Sequence, residues 1–189
     1  MSYKQNLKAA SGGLPGRRAA SSGAKIDAFD KAASYLGMQP RTVEEIRAYL
    51  KKKEYSVSEI DDAVSRLLEY GYLDDVSYAE SYIRLAAARG KGRRRMEQEL
   101  TAKGVSRGDL ETAWAALEDE VSSDGDAAAV FDEKKRALEI AVKMTRQQLA
   151  DGKPLDEKFM ARVGRRLSGQ GYSADTIYFA VNKLRGLKK

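Results

Sequence analysis

The chain has 189 residues, including 34 Lys and Arg and 28 Asp and Glu, but no histidine and no cysteine. The absence of cysteine excludes disulfides, thiolate zinc sites and cysteine nucleophiles. The absence of histidine means that the chain lacks the commonest general base and metal ligand. The net charge of +6 favours an anionic partner. Because no apolar run approaches the length of a membrane span and no signal peptide is recognisable, the sequence predicts a cytoplasmic protein.

The N-terminal segment, residues 1–26, carries five cations and no acid in a Ser-, Gly- and Ala-rich stretch without apolar periodicity. This pattern predicts a disordered basic arm, and a solvated tail without a role is an equally open interpretation.

The remainder has few glycines and only three prolines, which predicts an all-α protein. Three tandem three-helix repeats are expected, at residues 27–73, 74–119 and 127–189, with an acidic linker at 120–126. Together they are expected to form an elongated, curved body. The predicted helices span 27–36, 42–53, 57–70, 75–89, 93–103, 107–119, 127–150, 156–169 and 174–186.

The repeat is visible when residues 50–56 are aligned with 100–106 and 167–173. In each copy a helix ends, an apolar residue follows, and a serine begins the next helix as its N-cap. Thr42 with Glu45, and Ser56 with Glu59, fit capping boxes. The equivalent core positions are predicted to be Ile46, Met96 and Val163; Ala63, Ala113 and Ala180; Val64, Trp114 and Val181; and Leu67, Leu117 and Leu184.

Charge is distributed in blocks rather than evenly. Residues 84–107 carry eight basic side chains against two acidic ones, residues 108–133 carry nine acids and no base, and residues 134–189 carry fourteen basic residues against five acids. A basic central turn and a basic third repeat, set against acidic segments, favour a partner that contains both nucleic acid and protein.

The most concentrated basic segment is the turn at residues 89–95, which leads into the second helix of the second repeat. Cations at a helix N-terminus are disfavoured by the helix dipole. The arginine guanidinium groups and the free N–H groups at the start of the helix, however, suit a phosphate or a carboxylate ligand. Gly90 and Gly92 would allow the backbone to approach such a ligand. The alternative is a solvated basic face whose cations pair with Glu97 or Glu99.

Other charged positions have simpler interpretations. The spacing of Arg162, Arg165 and Arg166 places them on one helix face, which suits a phosphate backbone or an acidic protein surface. Asp74 and Asp75 are predicted to cap the following helix rather than bind a metal, because no third ligand follows at a suitable spacing.

The central repeat resembles the RecX family, regulatory proteins of the bacterial RecA recombinase. The resemblance covers about residues 27–186 and is most specific in the motifs Gly71-Tyr72-Leu73-Asp74-Asp75, Tyr78-Ala79, Tyr82-Ile83-Arg84, Arg89-Gly90, Gly92-Arg93-Arg94, Glu99-Leu100 and Lys103-Gly104-Val105. It implies a non-enzymatic regulator that lies in the groove of the RecA–single-stranded-DNA filament, limits its growth and lowers RecA ATPase, recombinase and strand-exchange activity.

The resemblance also implies weak binding to DNA. Binding to single-stranded DNA without sequence preference, a monomeric state, and no cofactor or metal are further expectations. The expected binding residues are Arg84, Arg89, Lys91, Arg93, Arg94, Arg95, Lys103, Arg162, Arg165 and Arg166. The alternative is a helical DNA-binding repressor, which is disfavoured because the helices after Ser56, Ser106 and Ser173 begin with acidic or apolar residues. An enzyme is the weakest hypothesis, because no recognisable catalytic constellation is present.

Overall fold

The computed structural model describes residues 26–123 and 132–186, and in these two segments it contains helices and no strand. In chain order the helices are α1 (Ala28–Leu36), α2 (Val43–Lys52), α3 (Val57–Glu69), α4 (Asp75–Ala88), α5 (Arg93–Ala102), α6 (Arg107–Ser123), α7 (Glu133–Ala150), α8 (Glu157–Gly169) and α9 (Ala174–Gly186). The all-α prediction is confirmed. The predicted arm lies almost wholly outside the described residues, as does the end of the predicted acidic linker.

Local sequence signals explain where the helices begin. Thr42 with Glu45 and Ser56 with Glu59 form complete capping boxes at α2 and α3. The Ser106 hydroxyl oxygen accepts a hydrogen bond of 3.1 Å from the Asp109 N–H at the start of α6.

Most of the predicted repeat positions have the same environment in each copy, but Val181 is only partly buried, whereas its counterparts Val64 and Trp114 are buried. Ile46, Met96 and Val163 are completely buried, and the same is true to within 1% for Ala63, Ala113 and Ala180 and for Leu67, Leu117 and Leu184. Trp114 is buried as expected. These apolar positions recur at helical spacing, so each three-helix repeat buries one face of each helix.

Helix α6 continues to Ser123, so the predicted linker begins inside a helix. Two acidic side chains near this end, Glu118 and Glu120, contact arginines of the second repeat. Sequence composition alone does not show those contacts.

The chain divides into two compact units. The first extends to Ala79 and also includes Ala102–Asp109, while the second includes Glu80–Thr101 and the residues from Leu110 onward. The core of the first unit contains Phe29, Leu36, Ile46, Leu50 and Leu67. In the second unit, a cluster from α7, α8 and α9 includes Phe159, Val163, Leu167, Tyr172 and Leu184.

Candidate nucleic-acid interface

The basic turn between α4 and α5 has a well-defined backbone. The N–H of Gly90 donates to the carbonyl of Ala87 at 2.9 Å, and the N–H of Lys91 donates to the carbonyl of Ala86 at 3.0 Å. Gly90 has φ of +78°, a conformation that favours glycine and that commonly ends helices. The end of α4 is therefore satisfied by the chain itself, and the side chain of Arg89 is exposed beside it.

Gly92 permits a close approach, but to protein rather than to a ligand. A Cβ atom at Gly92 would lie 2.5 Å from the carbonyl oxygen of Gly171. The Gly92 N–H donates to the Gln170 carbonyl at 2.9 Å, in the turn between α8 and α9. The prediction that this glycine makes room for an anion was wrong, because sequence spacing does not show what approaches a backbone.

The start of α5 is also occupied by the chain's own groups. The N–H of Arg93 donates to the Glu133 carboxylate at 2.5 Å. A carboxylate at a helix N-terminus is favoured by the free N–H groups and the dipole, as expected, but here it belongs to α7. The expectation that these N–H groups are open to an external anion was therefore wrong for Arg93.

Two of the predicted binding arginines are paired with the acidic end of α6. Arg84 forms a bidentate ion pair with Glu120. Arg93 contacts Glu118 at 3.2 Å and Glu97 at 2.9 Å, and its guanidinium lies 4.3 Å from the Trp114 ring centroid. The alternative of a cation paired with Glu97 is therefore observed for Arg93.

Glu99 holds two further cations of the turn. Its carboxylate accepts from Lys91 Nζ at 2.5 Å, from Arg95 Nε at 3.0 Å, and from the Tyr82 hydroxyl. The hydrogen bonds from Lys91 and Tyr82 lower the pKa of Glu99 from 4.5 to about 2, and the bond to Glu99 raises the pKa of Lys91. Glu99 therefore orients both cations while remaining ionised.

These cations meet others from the third repeat. A cavity of about 400 Å³ in the second unit is lined by Arg89, Lys91, Arg95, Arg165 and Arg166, together with Gly169 and Gln170. The Arg95 guanidinium also donates to the Gly169 carbonyl at 3.0 Å. Among the residues that the structure describes, Arg89, Arg165 and Arg166 have no carboxylate partner. We call the cavity lined by these five basic side chains the arginine cavity.

The remaining predicted residues lie elsewhere. Arg94 is exposed on α5. Arg162 donates to the Gln148 side-chain oxygen at 2.5 Å and, with Arg165, lines a neighbouring depression. Lys103 belongs to the first unit, where it forms a 2.7 Å ion pair with Glu45 and lies 5.7 Å from the Tyr78 ring centroid.

Of the two aspartates predicted to cap the following helix, Asp74 does so. Asp74 accepts from the Ser77 N–H at 2.9 Å and thereby caps α4. Asp75 instead accepts from the Val43 N–H of α2 at 2.9 Å, a partner that the sequence did not indicate. Burial raises the pKa of Asp75.

One basic group was missed at the sequence level. Lys135, Arg136 and Lys143 line a second cavity in the second unit, together with Arg89. Their spacing along α7 places them on one side of the helix, which was the available signal. Within the described segments, no cluster of three or more carboxylates could hold a metal ion. None of their helices combines the length and the apolar character needed to cross a membrane.

Two family models match this chain. Residues 28–67 match the first three-helix domain of RecX, and residues 74–113 match its second three-helix domain. These matches define the class: a helical protein built from RecX-type three-helix repeats.

Relatives extend the match to most of the chain. The regulatory protein RecX of Vibrio vulnificus is 31% identical over 153 residues, covering 81% of this chain and 90% of the relative. That of Halalkalibacterium halodurans is 35% identical over 143 residues, covering 71% of this chain and 54% of the relative. The crystal structure of RecX from Lactobacillus salivarius has the same fold, with a TM-score of 0.68 at 21% identity over 84% of this chain and 94% of that one. The chain belongs to the RecX family of regulatory proteins.

Proposed function

We propose that this chain binds the RecA–single-stranded-DNA filament, limits its growth, and inhibits the ATPase, recombinase and strand-exchange activities of RecA. It would thereby moderate DNA repair and the SOS response. The protein acts by binding alone, as a cytoplasmic monomer without a cofactor. Membership of a family of regulatory proteins supports this class of function, and the arginine cavity is the observation that carries the contact with the filament.

The arginine cavity combines two properties that a phosphate backbone requires. Its cations come from two regions far apart in sequence, the α4–α5 turn with the start of α5, and helix α8, so they present charge over an area rather than along a single helix. Three of them, Arg89, Arg165 and Arg166, are exposed. Exposed cations can exchange solvent for phosphate oxygens without first breaking an internal ion pair, and arginine can bind those oxygens with two N–H groups.

Lys91 and Arg95 are already held in position before a ligand binds. Glu99 fixes Lys91 and Arg95 at the wall of the arginine cavity, so less side-chain entropy is lost when they meet a ligand. Each phosphate neutralised on single-stranded DNA adds about 0.7 to the slope of log affinity against log salt. Binding through this cavity is therefore strongly salt-dependent and insensitive to sequence.

A sequence-reading repressor is less well supported. The first turns of α3, α6 and α9 carry Glu59, Asp109 and Asp175. Carboxylates at the start of a recognition helix repel DNA, whereas base-reading helices place donors there.

The test compares two charge reversals of equal size. Arg165→Glu/Arg166→Glu reverses two cations of the arginine cavity, and Lys51→Glu/Lys52→Glu reverses two adjacent exposed cations of α2 as the matched control. DNA-dependent ATP hydrolysis by the cognate RecA is measured with each variant and with the unmodified protein. We expect the first variant to need at least about tenfold more protein for half inhibition, and the control to stay close to the unmodified protein.

Two outcomes contradict the proposal at different levels. If the folded, unmodified protein leaves RecA ATP hydrolysis unchanged, the filament function is wrong. If both double variants lose inhibition equally, the arginine cavity is not the contact surface and the effect reflects total charge.

A further inference from the structure

A buried arginine with unsatisfied donors lies beside a second basic cavity. The side chain of Arg136, on α7, is only 8% exposed. Its Nε and Nη1 atoms are buried without a hydrogen-bond partner. Buried arginines are normally paired, because arginine stays charged and an uncompensated charge in the interior is costly.

The nearest acids on the same helix do not compensate Arg136. Glu133 and Glu139 lie three residues before and after it, which is a spacing that permits pairing. Glu133 instead accepts from the Arg93 N–H, and within the described residues no ion pair joins Arg136 to Glu139. Arg136 also lies in the first turn of α7, where the helix dipole disfavours a cation.

The cavity that Arg136 lines, of about 480 Å³, collects further cations. Its wall contains Arg89, Lys135, Arg136 and Lys143 against a single carboxylate, that of Glu139. Its other lining residues, Ala87, Ala88, Gly90 and Ile140, are small or apolar. Near the end of α4, the carbonyls of Leu85, Ala86 and Ala87 already accept from the chain's own N–H groups.

From this arrangement we infer that the Arg136 cavity is a binding site for a phosphate group. Four cations against one carboxylate create a positive potential, and the buried guanidinium acts on a ligand with little screening by water. The small lining residues leave room beside the charges. A bound phosphate compensates the one buried charge that the described fold leaves unpaired. The phosphate comes either from inorganic phosphate or from a phosphodiester of a nucleic acid strand.

The site is tested without RecA, so the result is independent of the proposed filament function. Thermal unfolding of the whole protein is followed in inorganic phosphate at constant ionic strength. Arg136→Met removes the buried charge at similar volume, and Arg146→Met, at an exposed arginine on the same helix outside the cavity, is the matched control.

For the unmodified protein and the control, we expect Tm to rise by about 3–5 °C at phosphate tenfold above its dissociation constant. Arg136→Met should show no such rise. In phosphate-free buffer its Tm should equal or exceed that of the unmodified protein, because the uncompensated charge is gone.

A second pair of variants guards against misfolding of Arg136→Met. Lys135→Gln/Lys143→Gln changes two exposed cations of the cavity, and Lys134→Gln/Arg146→Gln changes two exposed cations of α7 outside it. Only the first pair should weaken the phosphate response. A response that is absent from the unmodified protein, or that survives in both Arg136→Met and Lys135→Gln/Lys143→Gln, overturns the site.

Oligothymidylate at the same ionic strength distinguishes the two sources of phosphate. If a nucleic acid strand supplies the group, the oligonucleotide abolishes the response to inorganic phosphate and Arg136→Met binds it several-fold more weakly. If the ligand is inorganic phosphate, the oligonucleotide leaves the response intact and Arg136→Met binds the strand like the unmodified protein. Either result places a phosphate at Arg136.

Discussion

Two similar contacts join consecutive repeats, one between the first and second repeats and one between the second and third. We call each of these contacts a joint. At the first joint, the Thr42 hydroxyl donates to the Lys103 carbonyl at 2.6 Å. At the second, the Gly92 N–H donates to the Gln170 carbonyl at 2.9 Å. In both, the turn before the last helix of one repeat meets the start of the second helix of the preceding repeat.

A carboxylate completes each joint in the same way. Asp75, at the start of α4, accepts from the Val43 N–H of α2. Glu133, at the start of α7, accepts from the Arg93 N–H of α5. The first helix of each later repeat therefore caps the second helix of the repeat before it, which explains why acids are needed at these two positions.

The two joints differ in charge. At the first, Lys103 is neutralised by Glu45 at 2.7 Å. At the second, Gln170 stands in place of the lysine and Arg95 in place of the glutamate, with further arginines around them. Equivalent positions thus form a closed ion pair at one joint and line an open basic cavity at the other.

The largest expected effect comes from filling the glycine contact of the second joint. Gly171 has φ of +87°, and a Cβ there would lie 2.5 Å from the Arg95 backbone nitrogen, whereas Gly71 has φ of +68° with open space around it. Gly171→Ala should lower the free energy of unfolding by about 3 kcal/mol and Gly71→Ala by about 1 kcal/mol, measured by urea denaturation. Equal losses would show that the second joint is not tightly packed.

The next effect concerns Glu99, whose pKa is lowered from 4.5 to about 2. A carboxyl with a depressed pKa stabilises the fold above its unfolded-state pKa and loses this contribution as pH falls through the folded-state value. Glu99→Gln should cost about 1–2 kcal/mol near neutral pH, after allowance for solvent screening, and progressively less between pH 4.5 and 2. Chemical denaturation across that range checks this, and a pH-independent difference would contradict it.

A charge transplant makes the second joint resemble the first. Arg95→Glu/Gln170→Lys recreates the Glu45–Lys103 arrangement where the arginine cavity now lies. We expect the protein to fold and its affinity for oligothymidylate to fall about tenfold, because phosphate contacts are lost. Fluorescence anisotropy measures the affinity, and an unchanged value would remove Arg95 from the interface.

The smallest effect is expected at the first joint. Lys103→Gln removes the partner of Glu45 and should lower the free energy of unfolding by about 1 kcal/mol, since the pair is only partly buried. Its affinity for oligothymidylate should not change. A clear loss of DNA affinity with no loss of stability would instead support Lys103 as a binding residue.

Sequence reasoning predicted the elements well because their signals are local. Capping boxes, helix-ending glycines and apolar spacing all act within one or two turns, so α2, α3 and α9 begin where the pattern indicated. It also placed Arg165 and Arg166 among the binding candidates, and they line the arginine cavity.

The contacts that sequence reasoning missed join residues that are distant in sequence. Arg93 pairs with Glu118, Lys103 with Glu45, and the Gly92 backbone with Gln170, at separations that no periodicity encodes. The burial of Arg136 could not be predicted either, because nothing in the sequence distinguishes it from the other lysines and arginines of α7. Charge can be counted from a sequence, whereas its neutralisation depends on the packed structure.

The turn of the first repeat carries Glu54 where the later turns carry Gly104 and Gly171, and it adopts φ of +61°. A Cβ atom at Gly104 or Gly171 would collide with the preceding repeat, so only glycine allows the turn to pack this closely. Glu54 shows that a residue with a side chain can adopt the left-handed backbone of this turn. The close contacts with Glu44 and Arg95, and not the positive φ alone, therefore account for the glycines at positions 104 and 171.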